Sequence, residues 1–514
     1  MSKTIIIIGA GLAGLSAALQ AAENGCNVKL VSSLPSERAQ SVMAEGGINA
    51  ALNTKDENDS PEEHFTDTIK AACGLADPNA VWGMTQAAPE LVHWLLKLGV
   101  KFNMSGYDDV DLRNFGGQKK KRTAFAQSDT GKQIMTAMID AVRRKEASGM
   151  VERFSHHSFL TLRLCGNICC GCVIRDEYSQ ETVELPGDAV IVATGGMHGL
   201  FGNTTGSLSN TGEVTAELFR LGVPLANGEM IQYHPTTVKC GGKRMLISEA
   251  ARGEGGRLFA MKDGKQWYFM EEKYPELGNL MPRDITAREI WKVSHESEVF
   301  LDMTEISEEI ISNKLSGLAD DCMTYLHKDI RKEPVSVLPG IHYFMGGILV
   351  DEQHRTPIQN LYAAGECCAQ YHGANRLGGN SLLGALYGGR VAAKSACEQP
   401  DVVDLSCATQ IDFPPASQIS EIKQLNKVMQ ETMGVVRNEN TLLNGIQTVQ
   451  ALTGNLPLLG MAVLKSALAR KESRGAHWRE DYPKSNDDDY LKTTVARFDG
   501  KQIQISFVPV PERR

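Results

Sequence analysis

Apolar positions change their spacing several times along this chain, and each change marks an element. Residues 4–8, TIIII, are an unbroken apolar run of the kind a strand carries when both of its faces are buried. The run breaks at Gly9-x-Gly11-x-x-Gly14 and continues as an alanine-rich helical stretch to Ala18. Strand, glycine turn and helix start together favour a bound pyrophosphate. Gly9 permits the tight turn, Gly11 lets backbone approach phosphate, and Gly14 lets the helix pack on the strand. A dinucleotide is implied, and the turn by itself leaves NAD and FAD both open.

Downstream, CNVKLVSS (26–33) reads as the second strand of a βαβ unit. An NAD site of this type favours an acid at the end of that strand to hold the ribose hydroxyls, and here it ends in Ser32-Ser33. AEGGINAAL (44–52) is glycine-rich and almost uncharged, which suits close backbone approach to a flavin ring. Helical spacing predicts two amphipathic segments between Pro61 and Leu98, a polar stretch over 111–131, and a further helix over Thr130–Arg144. Strand-like blocks fill 151–185, and AVIVATGG (189–196) returns the chain to the nucleotide sheet as a buried strand entering a glycine turn.

Over residues 221–340 long apolar strands become scarce and charged motifs frequent, which predicts an inserted domain. From Asn360 the strand–turn–helix texture resumes, with an apolar, glycine-dotted helix over Leu382–Ala393 whose start can hold an anionic or carbonyl group. A Pro- and Ser-containing linker is expected at 401–416, then about 60 residues of amphipathic helix to Arg474 and one short closing strand in KQIQISFVPV. The expected fold class is α/β: a Rossmann-like nucleotide-binding domain (1–225 and 341–400) with an inserted α+β capping domain (226–340) and a C-terminal helical domain with tail (401–514).

Composition narrows this picture. At 514 residues the chain has ample core without staples. A net charge of −9 with 6% aromatics argues against a nucleic-acid partner, and Lys119-Lys120-Lys121-Arg122 reads as a solvated turn. No apolar run approaches the length of a membrane span and the amino terminus enters a strand directly, so a cytoplasmic chain is expected, peripheral at the inner face of a membrane only through a partner. Most of the 12 cysteines read as reduced core thiols. For the cluster CGNICCGC (165–172) a metal site and a β-hairpin are both open, the alternation about Gly166-Asn167 fitting a hairpin.

GAGLAG, AEGGINAAL, NFGGQ (114–118), VATGG, QYHPT (232–236), SEAARGEGG (248–256), MPRDI (281–285), HYFMGGI (342–348), AAGE, HGANRLGGNSL (372–382) and ESRGAH (472–477) occur in this order. In combination they resemble the flavoprotein subunit of succinate dehydrogenase and fumarate reductase, and its cousin L-aspartate oxidase, over almost the whole length. The resemblance implies FAD, a mobile cap, and interconversion of fumarate and succinate. By motif it carries FAD contacts to Gly9, Ala10, Gly11, Gly14, Ser32, Gln40, Gly46, Gly47, Ala193, Thr194, Gly195, Glu366, Ser381 and Leu382. It further implies that His342 and Arg376 hold one substrate carboxylate, that His234 and Ser248 hold the other, and that Arg283 donates the proton. Glu249 and Arg252 would relay its replacement. The chemistry is coherent, because an arginine fork suits a carboxylate, and the carbanion-like carbon left beside the one that receives hydride is basic enough to take a proton from a guanidinium. Taken alone, Arg283 beside Asp284 or Arg252 beside Glu254 reads as a surface ion pair, and His234 or His342 as a structural residue.

The chain also departs from the membrane-complex members. Their motif SHTVAAEGG carries a histidine that bonds covalently to flavin, and the corresponding position here is Gln40. Noncovalent FAD is therefore expected, with fumarate reduction favoured. No ferredoxin-type cysteine run is visible, so electrons are expected from a partner, iron–sulfur or other. L-aspartate oxidase is the rival reading; that family carries an acidic residue in the loop where NFGGQ stands here. Reduction of another enoate, and an assembly module keeping FAD for structure alone, are further alternatives.

Overall fold

In the computed structural model, which describes residues 2–106, 109–399, 411, 413 and 418–514, the isoleucine run is strand β1 (Thr4–Ile8). Ile5 and Ile7 enter one apolar cluster and Ile6 and Ile8 another, which is why the run is continuous and not alternating. Burying four such side chains contributes about 6–12 kcal/mol relative to leaving them exposed. Helix α1 (Leu12–Glu23) follows the glycine turn, then β2 (Asn27–Ser32).

Helices α2 (Pro61–Ala71) and α3 (Pro78–Leu98) begin where their sequences signal it. Each has proline at its first position, and the Ser60 and Asp77 side chains accept hydrogen bonds from the first-turn N–H groups of Glu63 and of Asn79 and Ala80. Gly99, at φ +102°, ends α3 in the left-handed conformation that favours glycine. Helix α4 (Thr130–Ala147), β3 (Val151–Ser155) and β4 (Ala189–Val192) come next. CGNICCGC is the turn and second strand of a hairpin, His157–Cys165 with Ile168–Asp176, and Cys169, Cys170 and Cys172 are buried free thiols. Among the described residues no group of three His, Cys, Asp or Glu could hold a metal, and no helix is long and apolar enough to cross a membrane.

After β5 (Leu225–Ala226) the chain leaves along β6 (Ile231–Cys240), which carries His234. The excursion includes the short helix α5 (Glu249–Gly253), helix α6 (Arg283–Val293), and a four-stranded sheet built from Arg257–Lys262, Lys265–Trp267, Val299–Asp302 and Val335–Ser336. It returns along β7 (Leu338–Phe344), antiparallel to β6. Strands β8 (Gly347–Leu349) and β9 (Leu361–Ala363) then lead to helix α7 (Asn380–Glu398). The order of the parallel sheet is β9-β4-β1-β2-β3. Helix α7 lies against α1 at close range: a Cβ on Gly389 would stand 2.3 Å from the Ala13 carbonyl oxygen, and Ser16 Oγ donates to the Leu386 carbonyl at 2.7 Å.

Three expectations are corrected. The helical stretch toward Arg474 is three helices, α8 (Ile419–Thr432), α9 (Glu439–Val449) and α10 (Asn455–Ala469), the last beginning after Gly454 at φ +111°. The single closing strand is a hairpin, β10 (Lys492–Phe498) with β11 (Ile503–Pro509). Strand β10 pairs with β5 and so joins the tail to a sheet of the nucleotide-binding part. Arg122 is not solvated; it is fully buried and ion-paired with Asp59 at 2.8 Å and Asp67 at 2.9 Å, since a desolvated guanidinium needs such partners. Of the linker expected at 401–416, all but residues 411 and 413 lies outside the described residues.

Candidate active site

A cavity of about 910 Å³ runs from the glycine turn after β1 to the base of the cap. Its wall includes Gly9, Ala10, Gly11, Ser32 and Gln40 and, with them, Gly46, Gly47, Ala193, Thr194, Gly195, Glu366, Ser381 and Leu382. Two glycines make this wall possible. A Cβ on Gly9 would stand 2.3 Å from the Ala193 oxygen, and one on Gly47 would meet the Ala124 oxygen at 2.5 Å. Gly14 stands behind the wall, where a Cβ would lie 1.8 Å from the Gly9 oxygen, so it lets α1 close onto the turn. The Ser32 hydroxyl is buried with no protein partner, as a ribose-facing group at a strand end would be. A long, mostly apolar groove with a glycine cradle at one end and unpaired polar atoms along it fits a dinucleotide such as FAD.

His234, Ser248, Glu249, Arg283, His342 and Arg376 line the other end. Two β-bulges aim the histidines. In the β6–β7 ladder Gln232 faces Tyr343 and Tyr233 faces Ile341, so His342 is an extra residue on β7; a second irregularity falls between His234 and Thr237, where Pro235 cannot donate to the ladder. The imidazoles meet edge to face with centroids 5.1 Å apart. Burial pushes both well below the ordinary histidine range. Arg283 reinforces this at His234, and His234 itself at His342, so both rings are neutral at pH 7.

Helix α5 presents Glu249 from its first turn, with Ser248 as its N-cap, and α6 presents Arg283 from its first position. Arg283 Nε and Nη2 donate to Glu249 Oε2 at 2.9 and 2.6 Å, and Arg252 Nη2 donates to Glu249 Oε1 at 3.1 Å. Arg252 stands behind Glu249, its Nη1 donating to the Asn279 carbonyl. Burial alone would raise Glu249, but the Arg283 and Arg252 guanidiniums outweigh it and hold the carboxyl below its usual range. The neighbouring Asp284 is not Arg283's partner; it accepts from Asn375 Nδ2 at 3.2 Å. Arg376 lies 4.3 Å over the Tyr343 ring, and its Nε is buried without a protein partner. Arg252, Arg283 and Arg376 bring three guanidiniums to the one carboxylate of Glu249, so this end of the cavity is rich in positive charge.

Sequence reasoning missed Gln232, whose Oε1 accepts from Arg283 Nη1 at 3.0 Å and whose Nε2 donates to the Arg376 carbonyl at 2.8 Å. It spaces the two arginines, and its one signal was its place beside His234 in QYHPT. The loop NFGGQ lies directly on the site, since a Cβ on Gly116 would stand 2.6 Å from Glu249 Oε1. Gln118 at its end is turned to Asn49 and the Gly378 carbonyl. Thr205, beside His342, was also unforeseen.

Comparison with known proteins gives the family and the cofactor. The model for an FAD binding domain matches residues 4–382, and that for the fumarate reductase flavoprotein C-terminus matches 452–513. The succinate dehydrogenase flavoprotein subunit of Bacillus subtilis (strain 168) is 38% identical, covering 100% of this chain and 98% of that protein. The 8-methylmenaquinol:fumarate reductase flavoprotein subunit of Wolinella succinogenes is 32% identical over 100% of this chain and 92% of its own length. Among solved structures, E. coli quinol fumarate reductase FrdA matches with a TM-score of 0.88 at 27% identity, covering 99% of this chain and 97% of that one. The chain therefore belongs to the family of succinate dehydrogenase and fumarate reductase flavoproteins, and is an FAD-containing oxidoreductase.

Proposed function

We propose that the chain interconverts fumarate and succinate and works in the fumarate-reducing direction, with FAD held noncovalently. The observation that carries this reading is the buried series Arg252–Glu249–Arg283, which ends on the cavity beside two neutral imidazoles and Arg376. FAD, when bound, supplies the hydride. The protein's part is to hold and protonate. His342 with Arg376, and His234 with Ser248, clamp the two carboxylates, offering donors to charge that shifts toward them as reduction proceeds. Arg283 has five N–H groups, of which three are committed to Glu249 and Gln232, leaving two to donate to the carbon beside the one reduced. Glu249, a carboxylate, passes on to Arg283 a proton that it takes from Arg252, and solvent reprotonates Arg252. Residues 226–340 act as the cap, pivoting on β6 and β7 and carrying Arg283 toward the substrate.

Gln40 supports noncovalent FAD, because an amide cannot replace the imidazole that would bond to flavin; the loss of that bond favours reduction over oxidation. NFGGQ offers no acid for a substrate amine next to Glu249, which weighs against aspartate oxidation. The relatives named above are flavoprotein subunits, which supports exchange of electrons with a partner protein, iron–sulfur or other.

Turnover decides among these. With reduced viologen as donor, fumarate consumption with one succinate formed per two electrons supports the proposal. Iminoaspartate or peroxide formed from L-aspartate would replace it with the oxidase reading, and bound flavin with neither activity would leave a structural role. Acid precipitation should release all the flavin into the supernatant; flavin retained in the pellet overturns the noncovalent assignment.

A further inference from the structure

Neutral histidine carries one ring proton, and a histidine that holds a carboxylate must present that proton to it. His342 is therefore useful in only one of its two tautomers. Which one it adopts is decided by what meets its ring nitrogens, and at Nδ1 the structure places a side-chain hydroxyl. Thr205 Oγ1 lies 2.8 Å from His342 Nδ1. The same hydroxyl has one other acceptor in reach, the Ile341 carbonyl at 3.4 Å, but that oxygen already accepts the Thr205 backbone N–H at 2.9 Å. A hydroxyl has one proton to give, and the shorter contact at a nitrogen lone pair is the better use of it. With Nδ1 thus an acceptor, the ring proton sits on Nε2.

We propose that Thr205 is the positioning residue that fixes His342 as the Nε2–H tautomer, so that the ring meets a substrate carboxylate with a donor and not with a lone pair. The backbone bond from Thr205 N to the Ile341 carbonyl sets the hydroxyl's height on the ring, and the bulge at His342 turns the ring toward it. Among the described residues no other side chain hydrogen-bonds His342, and His234 meets it ring to ring with centroids 5.1 Å apart. Thr205 is not a catalytic residue, since it acts through His342 alone. The inference rests on the dicarboxylate reading above for what the donor is used for, but the tautomer itself can be read without substrate.

The test uses the FAD-loaded full chain labelled with ¹⁵N-histidine, as wild type, Thr205→Val and Thr205→Ser, the His342 signals being identified by their loss in His342→Gln. Wild type and Thr205→Ser are expected to show the Nε2–H pattern at His342 without ligand, and Thr205→Val a mixed or Nδ1–H pattern. Fumarate titrated against flavin absorbance should bind Thr205→Val about 10–100-fold more weakly, the range for losing one hydrogen bond to a charged group. Flavin content should be unchanged, and Thr205→Ser should restore binding. A wild-type His342 protonated on Nδ1, or Thr205→Val keeping both tautomer and affinity, overturns the proposal. If Thr205→Val does not fold, the wild-type and Thr205→Ser spectra still decide it. A wild-type protein that shows Nε2–H at His342 yet binds no fumarate would count against the dicarboxylate reading and leave the role of Thr205 standing.

Discussion

Arg283 shows how far a residue's meaning depends on its surroundings. Beside Asp284 in sequence it reads as half of a surface ion pair, yet it is 6% exposed and its carboxylate partner is Glu249, 34 positions away. A surface pair of that kind is worth about 0–1 kcal/mol; a buried guanidinium shared between Glu249 and Gln232 is held in one orientation by both. Replacing Arg283 by Ala should leave FAD bound and fumarate still able to perturb the flavin spectrum, while turnover falls by about 10²–10⁴-fold, the usual contribution of a positioned acid. Steady-state kinetics alongside a fumarate titration separates the two. Turnover within a few-fold of wild type would remove Arg283 from the donor role. Asp284→Asn is the informative control, because it keeps a hydrogen-bond acceptor for Asn375 and should spare the chemistry.

At the scale of elements, the glycine turn is the part most legible in the sequence and also the part most sensitive to change. Gly14 does not line the cavity, but a methyl group there would sit 1.8 Å from the Gly9 oxygen. Helix α1 would have to retreat from the turn, at a cost of about 1–3 kcal/mol for such overpacking. Gly14→Ala should therefore lower FAD affinity about tenfold or more, seen as a reduced flavin-to-protein ratio after gel filtration, whereas Gly434→Ala, whose Cβ would have only an ordinary contact at 3.6 Å, should keep its flavin. Stoichiometric flavin in Gly14→Ala would mean that the close approach of α1 to Gly9 is not what forms the cradle. The elements that were not legible share a physical reason. Both bulges in the β6–β7 ladder depend on which residues face each other across about 100 positions of chain, and nothing local to His342 announces that it is the unpaired one. The β10–β11 hairpin likewise owes its place to pairing with β5, far away in sequence, and Arg122 became a core residue because Asp59 and Asp67 come to it through the packing of α2. Periodicity reports what one segment buries, not what it is buried against.

Taken as a whole, the molecule stores uncharged histidine throughout its interior. His64, His234, His342, His354, His372 and His477 are all pushed below the ordinary range, by burial first, His354 to about 4 and His64 to about 3. The sign follows directly. As pH falls through about 6.5 the unfolded chain takes up these protons while the folded chain does not, so the unfolded state binds more protons and stability drops with pH. Each such histidine contributes a slope approaching about 1.4 kcal/mol per pH unit once its unfolded form is protonated. Glu45, raised to about 8 chiefly by burial, runs the other way: it is protonated in the fold already at pH 7, which the unfolded chain matches only near pH 4.5. One carboxyl displaced that far does not offset six histidines. The FAD-loaded chain should therefore lose thermal stability steeply between pH 6.5 and 5, and His64→Asn, less stable at pH 7.5, should show a slope shallower by about one proton's worth. Melting temperatures measured at pH 7.5, 6.5 and 5.5 test this. A melting temperature that is flat or rises on acidification would mean that the buried imidazoles, His234 and His342 among them, accept protons in the folded state, and that the neutral pair on which the proposed carboxylate clamp rests does not exist.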